Sequence, residues 1–369
     1  MDLTQTLRNL PSIPSGAVQA YRENMGRMVE MVNRIMSQRA DIQMLTGGNP
    51  MSMVFDNHKN HGLFMRCVFS LGRFDMLAHT IPWVYRTYQQ HGFSYSYFPA
   101  HLQAWQQAIQ AFLAPEEAAP LLAVYQWIES HHETFIALSQ QPPEKPEKPD
   151  ENWKEIYDRF LASLIDGDRQ TGMAIAKQSV SSLSGLNDFY VEVIQPAMYK
   201  IGALWEKGEI NVAREHLASA LVNRIMAMQY IELMQPGETL VGTAVVTAAT
   251  NEFHEIGATM VANSLEADGW KVEYLGANTP LTSLIDFVSN TKPDILAISS
   301  SMPYNLESIL EIIQEIKSWP AENQPRLMAG GLAFQNLPDL VREVGADGYA
   351  KDCREAVVLA RTWQKEIAG

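Results

Sequence analysis

Cysteine is scarce in this sequence. Cys67 and Cys353 stand in different halves of the chain, so neither a disulfide framework nor a paired-cysteine metal site is expected, and a reduced, cytoplasmic setting is. Basic clusters are missing too. No run of five Lys or Arg occurs and the formal net charge is −14, which argues against a general nucleic-acid binder, because neutralising phosphates needs clustered cations. No stretch of about eighteen apolar residues is present, so no membrane span is expected. The opening MDLTQTLRNLPSIPSG lacks the basic-then-apolar order of a signal peptide.

What is there suits a large soluble chain. Of 369 residues, 46% are hydrophobic and 19% charged, enough to build two or three cores. The stretch SQQPPEKPEKPDEN interrupts the chain with four prolines among charges, which favours an extended linker over 140–152. Before it, 1–139 reads as all-helical. Met25, Met28, Met31, Val32 and Ile35 recur at helical spacing within 17–46, and further helices are expected near 60–72, 74–91, 97–113 and 115–138. After it, 153–236 reads as four helices, with Pro196 as a kink in the third. From Thr239 the period changes. TLVGTAVVTA, WKVEYLG, PDILAISSS and RLMAGG are short apolar runs alternating with helical stretches near 256–268, 281–290 and 305–318, and CREAVVLARTWQKEIAG closes the chain as an amphipathic helix. That alternation predicts a doubly wound parallel sheet over 237–369, with ligands at the carboxyl ends of its strands.

The loop after the first strand carries Glu252, His254 and Gly257 as Glu-x-His-x-x-Gly. A lone loop histidine is most simply a helix-capping residue, and a lone Gly-Gly pair a tight turn. Yet forty-one residues separate Gly257 from Ser299, and Ser301 is followed, after twenty-eight more, by Gly330 and Gly331. Each of these falls at a strand end. The set resembles the cobalamin-binding domain shared by methionine synthase, corrinoid methyl carriers and base-off mutases. Glu252 stands where Asp is usual, and Ser301 fills the third position of a serine motif that more often ends in Leu or Thr. The resemblance implies that His254 is the lower cobalt ligand and that Glu252 fixes its tautomer. It also implies that Gly257, Ser299, Gly330 and Gly331 clear a slot for the displaced dimethylbenzimidazole tail.

Trp205, nine residues, and Glu215-His216 form a second set, at the turn between the third and fourth helices of 153–236. Taken singly these are a packing Trp and an exposed pair. Together they resemble the cap of light-sensing adenosylcobalamin proteins, which implies adenosylcobalamin as cofactor and a cobalt–carbon bond broken by light. Those DNA-binding sensors carry a histidine after the Trp that can ligate cobalt after photolysis; here it is Glu206. The illuminated form is therefore expected to keep water or use another ligand, with His216 nearby. A radical mutase would need a barrel domain for which this chain has no room.

Seven of the nine histidines (His58, His61, His79, His91, His101, His131 and His132) fall before the linker, with Arg66, Arg73, Arg86 and many aromatics. HGFSYSYFPAHLQAWQQAIQAFLAPEEAAPLLAVYQWIES resembles the later helices of a globin, but Tyr88 stands where the proximal haem histidine would, four before Gly92. A globin-like module joined to a cobalamin light sensor resembles the photocobilins, which implies biliverdin as a second chromophore. Arg73, His79, Tyr88 and His91 are the candidate bilin pocket. A ligand-free helical dimerisation module is the alternative. Cys67, within an apolar helix, reads as core rather than as a thioether site.

The resulting expectation is a non-enzymatic photoreceptor. It is a homo-oligomer, dimer or tetramer, whose packing changes with light and which signals to an unfused partner, with no nucleic-acid or membrane role. The alternative is a corrinoid methyl carrier serving a methyltransferase. A third option is a cobalamin-responsive scaffold without light sensitivity.

Overall fold

The computed structural model describes residues 3–142, 149–233, 241–335 and 339–368. Residues 143–148 of the expected 140–152 linker, the MQPGE turn and the Thr239–Leu240 start of the first expected strand lie outside these residues. The chain divides into two compact units, Met1–Glu144 with Glu206–Gly208, and Lys145–Trp205 with Glu209–Gly369. The expected bundle and sheet thus fall in one unit.

The described part of the first unit is helical: α1 (Leu3–Leu7), α2 (Ser15–Ser37), α3 (Ile42–Leu45), α4 (Met51–Leu71), α5 (Asp75–Gln90), α6 (Tyr97–Phe112), α7 (Pro115–Ser130) and α8 (His132–Ser139). The single helix expected over 17–46 is broken after Ser37, where Arg39 grips Asp41 through two hydrogen bonds of 2.8 and 2.9 Å. The helix expected from 60 starts at Met51, directly after Pro50, and the one expected over 115–138 breaks at His131. Tyr21, Met28, Val32 and Met36 line the buried face of α2, which packs against α4 and α6. A Cβ on Gly62 of α4 would lie 2.8 Å from the Trp105 ring, so that approach requires glycine.

Two buried histidines, His58 and His101, and the half-buried His61 meet in this core. His58 stacks on His101 at 4.9 Å, and His61 meets His101 edge-on at 4.6 Å. Trp105 Nε1 donates to His101 Nε2 at 2.9 Å, His58 Nδ1 pairs with Asn33 at 2.6 Å, and His61 Nε2 pairs with the Tyr125 hydroxyl at 3.2 Å. Burial lowers His58 to about 4 and, with the neighbouring His58, His61 to about 3; it holds His101 well below the usual histidine range. These rings fold neutral. The unfolded chain binds their protons at the ordinary value of 6.5, so stability is full above that pH and is lost as pH falls through it towards 4. For His58 alone the loss is on the order of 3 kcal/mol, at about 1.4 kcal/mol per pK unit. Melting of the whole chain at pH 7 and pH 5 measures this: His58→Phe should flatten the acid limb, and a slope unchanged by the substitution would contradict the assignment.

The second unit begins with four helical segments: α9 (Lys154–Asp166), α10 (Arg169–Ser179), α11 (Leu183–Phe189) running through a π-turn (Tyr190–Ile194) into α12 (Gln195–Glu206), and α13 (Val212–Leu233). The kink expected at Pro196 takes the form of that π-turn. The wider turn, in which Gln195 N–H reaches Tyr190 O, sits just ahead of a residue that has no N–H to donate and whose ring would crowd an α-turn. The sheet part follows as β1 (Thr243–Ala248), α14 (Ile256–Ala267), β2 (Lys271–Tyr274), α15 (Leu281–Thr291), β3 (Ile295–Ser299), α16 (Leu306–Lys317), β4 (Arg326–Gly330), α17 (Leu332–Gln335), α18 (Leu340–Glu343), β5 (Gly348–Ala350) and α19 (Cys353–Ala368). All four expected strands are present, and β5 is added. Its three residues are too few to show a period.

All strands are parallel, in the order β2-β1-β3-β4-β5. The apolar runs of β1, β3 and β4 are continuous because both faces are covered, whereas the edge strand β2 (KVEY) is largely open. Ala244, Val246, Ile295, Ala297 and Met328 face Ala258, Ala262 and Leu265 of α14 and Ala356, Ala360 and Trp363 of α19. Across the sheet, α16 contributes Leu306, Ile309, Ile312, Ile313 and Ile316 at helical spacing, all buried, each worth about 1.5–3 kcal/mol of burial. The bundle shares its core with the sheet part through Met260 and Cys353. Buried Asn263 Nδ2 donates to the Tyr190 hydroxyl at 2.8 Å, and Arg354 pairs with both Asp188 and Glu192 at 2.9 Å.

Candidate functional site

Strand order reverses between β1 and β3, so the loops leaving those two strands diverge and open a crevice at their carboxyl ends. Ala248 pairs with Ser299, Ser299 with Gly330, and Gly330 with Ala350. The motif residues Ser299 and Gly330, far apart in sequence, are thus neighbours on the last rung of the sheet. The loop leaving β1 carries Glu252 and His254 into the same crevice, after a left-handed Asn251 (φ 64°).

Glu252 is fully buried. One carboxylate oxygen, Oε1, accepts the His254 ring N–H (Nδ1) at 2.5 Å and its backbone N–H at 3.1 Å. The other accepts Ser301 N–H at 2.8 Å, Met302 N–H at 3.0 Å, Asn305 Nδ2 at 3.1 Å and the Ser300 hydroxyl at 3.2 Å. Burial alone would push this carboxyl up. The His254 hydrogen bond and charge, with the Met302 and His254 amides, outweigh it and bring the carboxyl down to about 2. In return the Glu252 hydrogen bond raises His254, against an opposing effect of burial, with the charges of Glu252 and Glu215 adding. In the neutral ring the pair fixes the tautomer: Nδ1 carries the proton, and the lone pair is left to Nε2 on a side chain that is 61% exposed.

The glycines divide into two kinds. A Cβ on Gly257 would meet only Ser299 Oγ, at 3.8 Å, so protein packing does not demand glycine there. At Gly331 it would lie 2.2 Å from Ser300 O, and φ is 98°, so this glycine serves the backbone rather than the slot. Gly330 is intermediate, with Ala350 O at 3.1 Å. Ser301 contributes through its amide. Ser300 and Asn305, both buried against Glu252, were not singled out in the sequence; the only signals were a serine run at a strand end and an Asn entering α16. Phe253, 67% exposed, and Leu332, 42% exposed, leave apolar surface uncovered beside His254 and Gly331 in the chain.

The other predicted set is partly assembled. Trp205 is half-buried at the end of α12. Glu215 and His216 lie in the first turns of α13, joined by a 2.6 Å bond from His216 Nδ1, and Ser219 Oγ donates to Glu215 at 2.7 Å. Glu206 belongs with the first unit, where it accepts Trp83 Nε1–H at 2.6 Å.

The four candidate bilin residues are not gathered into one pocket. Arg73 makes a bidentate pair with Asp75 at 2.6 and 2.9 Å. His79 is exposed, and Tyr88, nine residues on, lies about 180° round α5 from it. Tyr88 packs on Phe93 and Phe98, and His91 caps the helix, its carbonyl accepting Asn49 Nδ2 at 2.8 Å.

A proton-fixed imidazole with an open Nε2 at the switch point of a doubly wound sheet, with the open positions of Gly257 and Ser299 beside it, fits the lower face of a base-off cobalamin. The fold and the site thus define the class: a cobalamin-binding protein built from a helical bundle and a parallel-sheet domain. Residues 242–358 match the family described as B12 binding domain, and residues 156–229 match a second family of the same description. The trimethylamine corrinoid protein 1 of Methanosarcina acetivorans is 25% identical over 214 residues, covering 56% of this chain and 96% of that protein. The HTH-type transcriptional repressor CarA of Myxococcus xanthus is 26% identical over 234 residues, covering 62% and 74%. Among solved structures, the Methanosarcina barkeri monomethylamine corrinoid protein matches with a TM-score of 0.50 at 19% identity, covering 56% of this chain and 98% of that one, a likeness of fold. Among the described residues no helix is long and apolar enough to cross a membrane.

Proposed function

We propose that this protein is a non-enzymatic light sensor that binds adenosylcobalamin, with His254 below the cobalt and Trp205, Glu215 and His216 above it. The observation that carries this reading is the Glu215–His216 pair on the first turns of α13, close enough for the Glu215 charge to act on His254. Adenosylcobalamin, when bound, supplies a cobalt–carbon bond that visible light breaks. The chain's own part is to hold and to respond. Glu252 keeps the His254 proton on Nδ1, and Gly257 with Ser299 leaves room for the nucleotide tail. Asn211–Leu217 are exposed apart from half-buried Glu215, so the start of α13 is the element free to repack, and a change in homo-oligomeric state is the response.

Protein loaded with adenosylcobalamin in anaerobic buffer should change its absorbance under green light and shift its elution on gel filtration. A spectrum unaffected by light, in protein that instead accepts methyl groups from a partner enzyme, would favour the methyl-carrier reading, for which the corrinoid-protein relatives speak. Biliverdin as a second chromophore of a globin-like first unit belongs to the same proposal. Its support is the aromatic and histidine content of that unit; the engaged Arg73 and exposed His79 weigh against the pocket read from the sequence. Added biliverdin should give a red-shifted band in the same experiment, and its absence would remove this part alone. A cytoplasmic setting and a separate signalling partner complete the proposal.

A further inference from the structure

His254 accounts for one imidazole at the site. A second is built the same way, and no packing role explains it. In both pairs a carboxylate accepts a hydrogen bond from Nδ1, at 2.5 Å for Glu252 and 2.6 Å for Glu215, and is itself held by a further donor, Ser301 N–H among those on Glu252 and Ser219 Oγ on Glu215. In both, the remaining nitrogen faces outward, on side chains 61% and 74% exposed. A carboxylate-fixed imidazole with a free Nε2 is a metal ligand in waiting.

The helix directs the second imidazole towards the first. His216 and Asn223 are seven residues apart on α13, two turns short by about 20°, so they share one face about 10 Å apart along the axis. Asn223 Nδ2 donates to Glu255 Oε1 at 3.1 Å, the residue next to His254. The face that carries His216 is therefore the face that meets the His254 loop. Glu206, the residue after Trp205, is engaged by Trp83 and has no imidazole to offer.

We propose that His216 Nε2 is a second protein ligand to cobalt, opposite His254, taken up when no alkyl group occupies that face. This rests on the cobalamin reading of the His254 crevice.

The test uses the full chain loaded with aquacobalamin, its absorbance followed as pH is raised. Cobalt-bound water loses a proton and the spectrum shifts, whereas an imidazole bound through Nε2 has no such proton to lose. The wild type should show no shift. His216→Ala and His216→Gln, changes at an exposed position, should both show it, and added imidazole should abolish it in His216→Ala. A shift in the wild type as large as in the variants overturns the proposal, as does its absence from all three proteins. Failure of the wild type to retain cobalamin through gel filtration overturns the crevice reading as well, which separates the two failures.

Discussion

Glu252→Gln should lower cobalamin affinity by about 10–100-fold, the usual scale for losing the partner of a ligating histidine, while leaving the fold intact. The amide keeps one oxygen for the Ser300, Ser301, Met302 and Asn305 donors. Its NH2 then faces His254 Nδ1, whose hydrogen bond the carboxylate accepted. Two donors cannot face each other, so the ring changes tautomer, Nε2 becomes protonated and its lone pair is gone. Glu252→Ala should match this loss of affinity and add a fall in melting temperature, because each buried donor left unsatisfied costs about 1–3 kcal/mol. Equal melting of the two variants would mean that the four donors find other partners; unchanged affinity in Glu252→Gln would mean that the tautomer does not matter.

Gly331→Ala and Gly257→Ala should part in opposite directions. The first places a methyl 2.2 Å from a backbone oxygen at a left-handed φ of 98°, a conflict worth at least about 3 kcal/mol. It also displaces Ser300, a partner of Glu252. The second adds a methyl where only Ser299 Oγ lies within reach, at 3.8 Å, and replaces a glycine in the first turn of α14, which lowers the entropy lost on folding. The apoprotein should therefore melt no lower than the wild type, yet bind cobalamin more weakly. Calorimetry of both apoproteins with a binding titration decides it. A Gly257→Ala protein of normal affinity would place the nucleotide tail elsewhere.

The same contrast shows what sequence can carry. Spacing announced that Gly257, Ser299 and Gly330 belong together, because parallel strands of similar length bring their ends to one rung. It could not say that Gly331 serves the backbone, since that depends on how closely Ser300 passes. The Glu252–His254 bond was legible because the two residues are neighbours in one loop. Ser300 and Asn305 were not, because their role exists only once β3 and α16 are set against that loop. In the first unit the apolar period found Met28 and Val32 of the buried α2 face, while Met25, Met31 and Ile35 are half-buried and Tyr21 and Met36 complete the face. It passed over His58 and His101, polar residues that count as surface until their packing is seen; the resemblance pointed instead to Arg73 and His79, which the fold engages or exposes.

The central claim is that His254 is the cobalt ligand below the corrin. Electron paramagnetic resonance of the full chain carrying reduced, one-electron cobalamin tests it directly, with histidine at natural abundance and labelled with nitrogen-15. With His216→Ala as the background, which removes the other imidazole, splitting that changes with the label and is lost when His254→Ala is added is the predicted result. Splitting indifferent to the label would show that dimethylbenzimidazole keeps the cobalt, and would contradict the account.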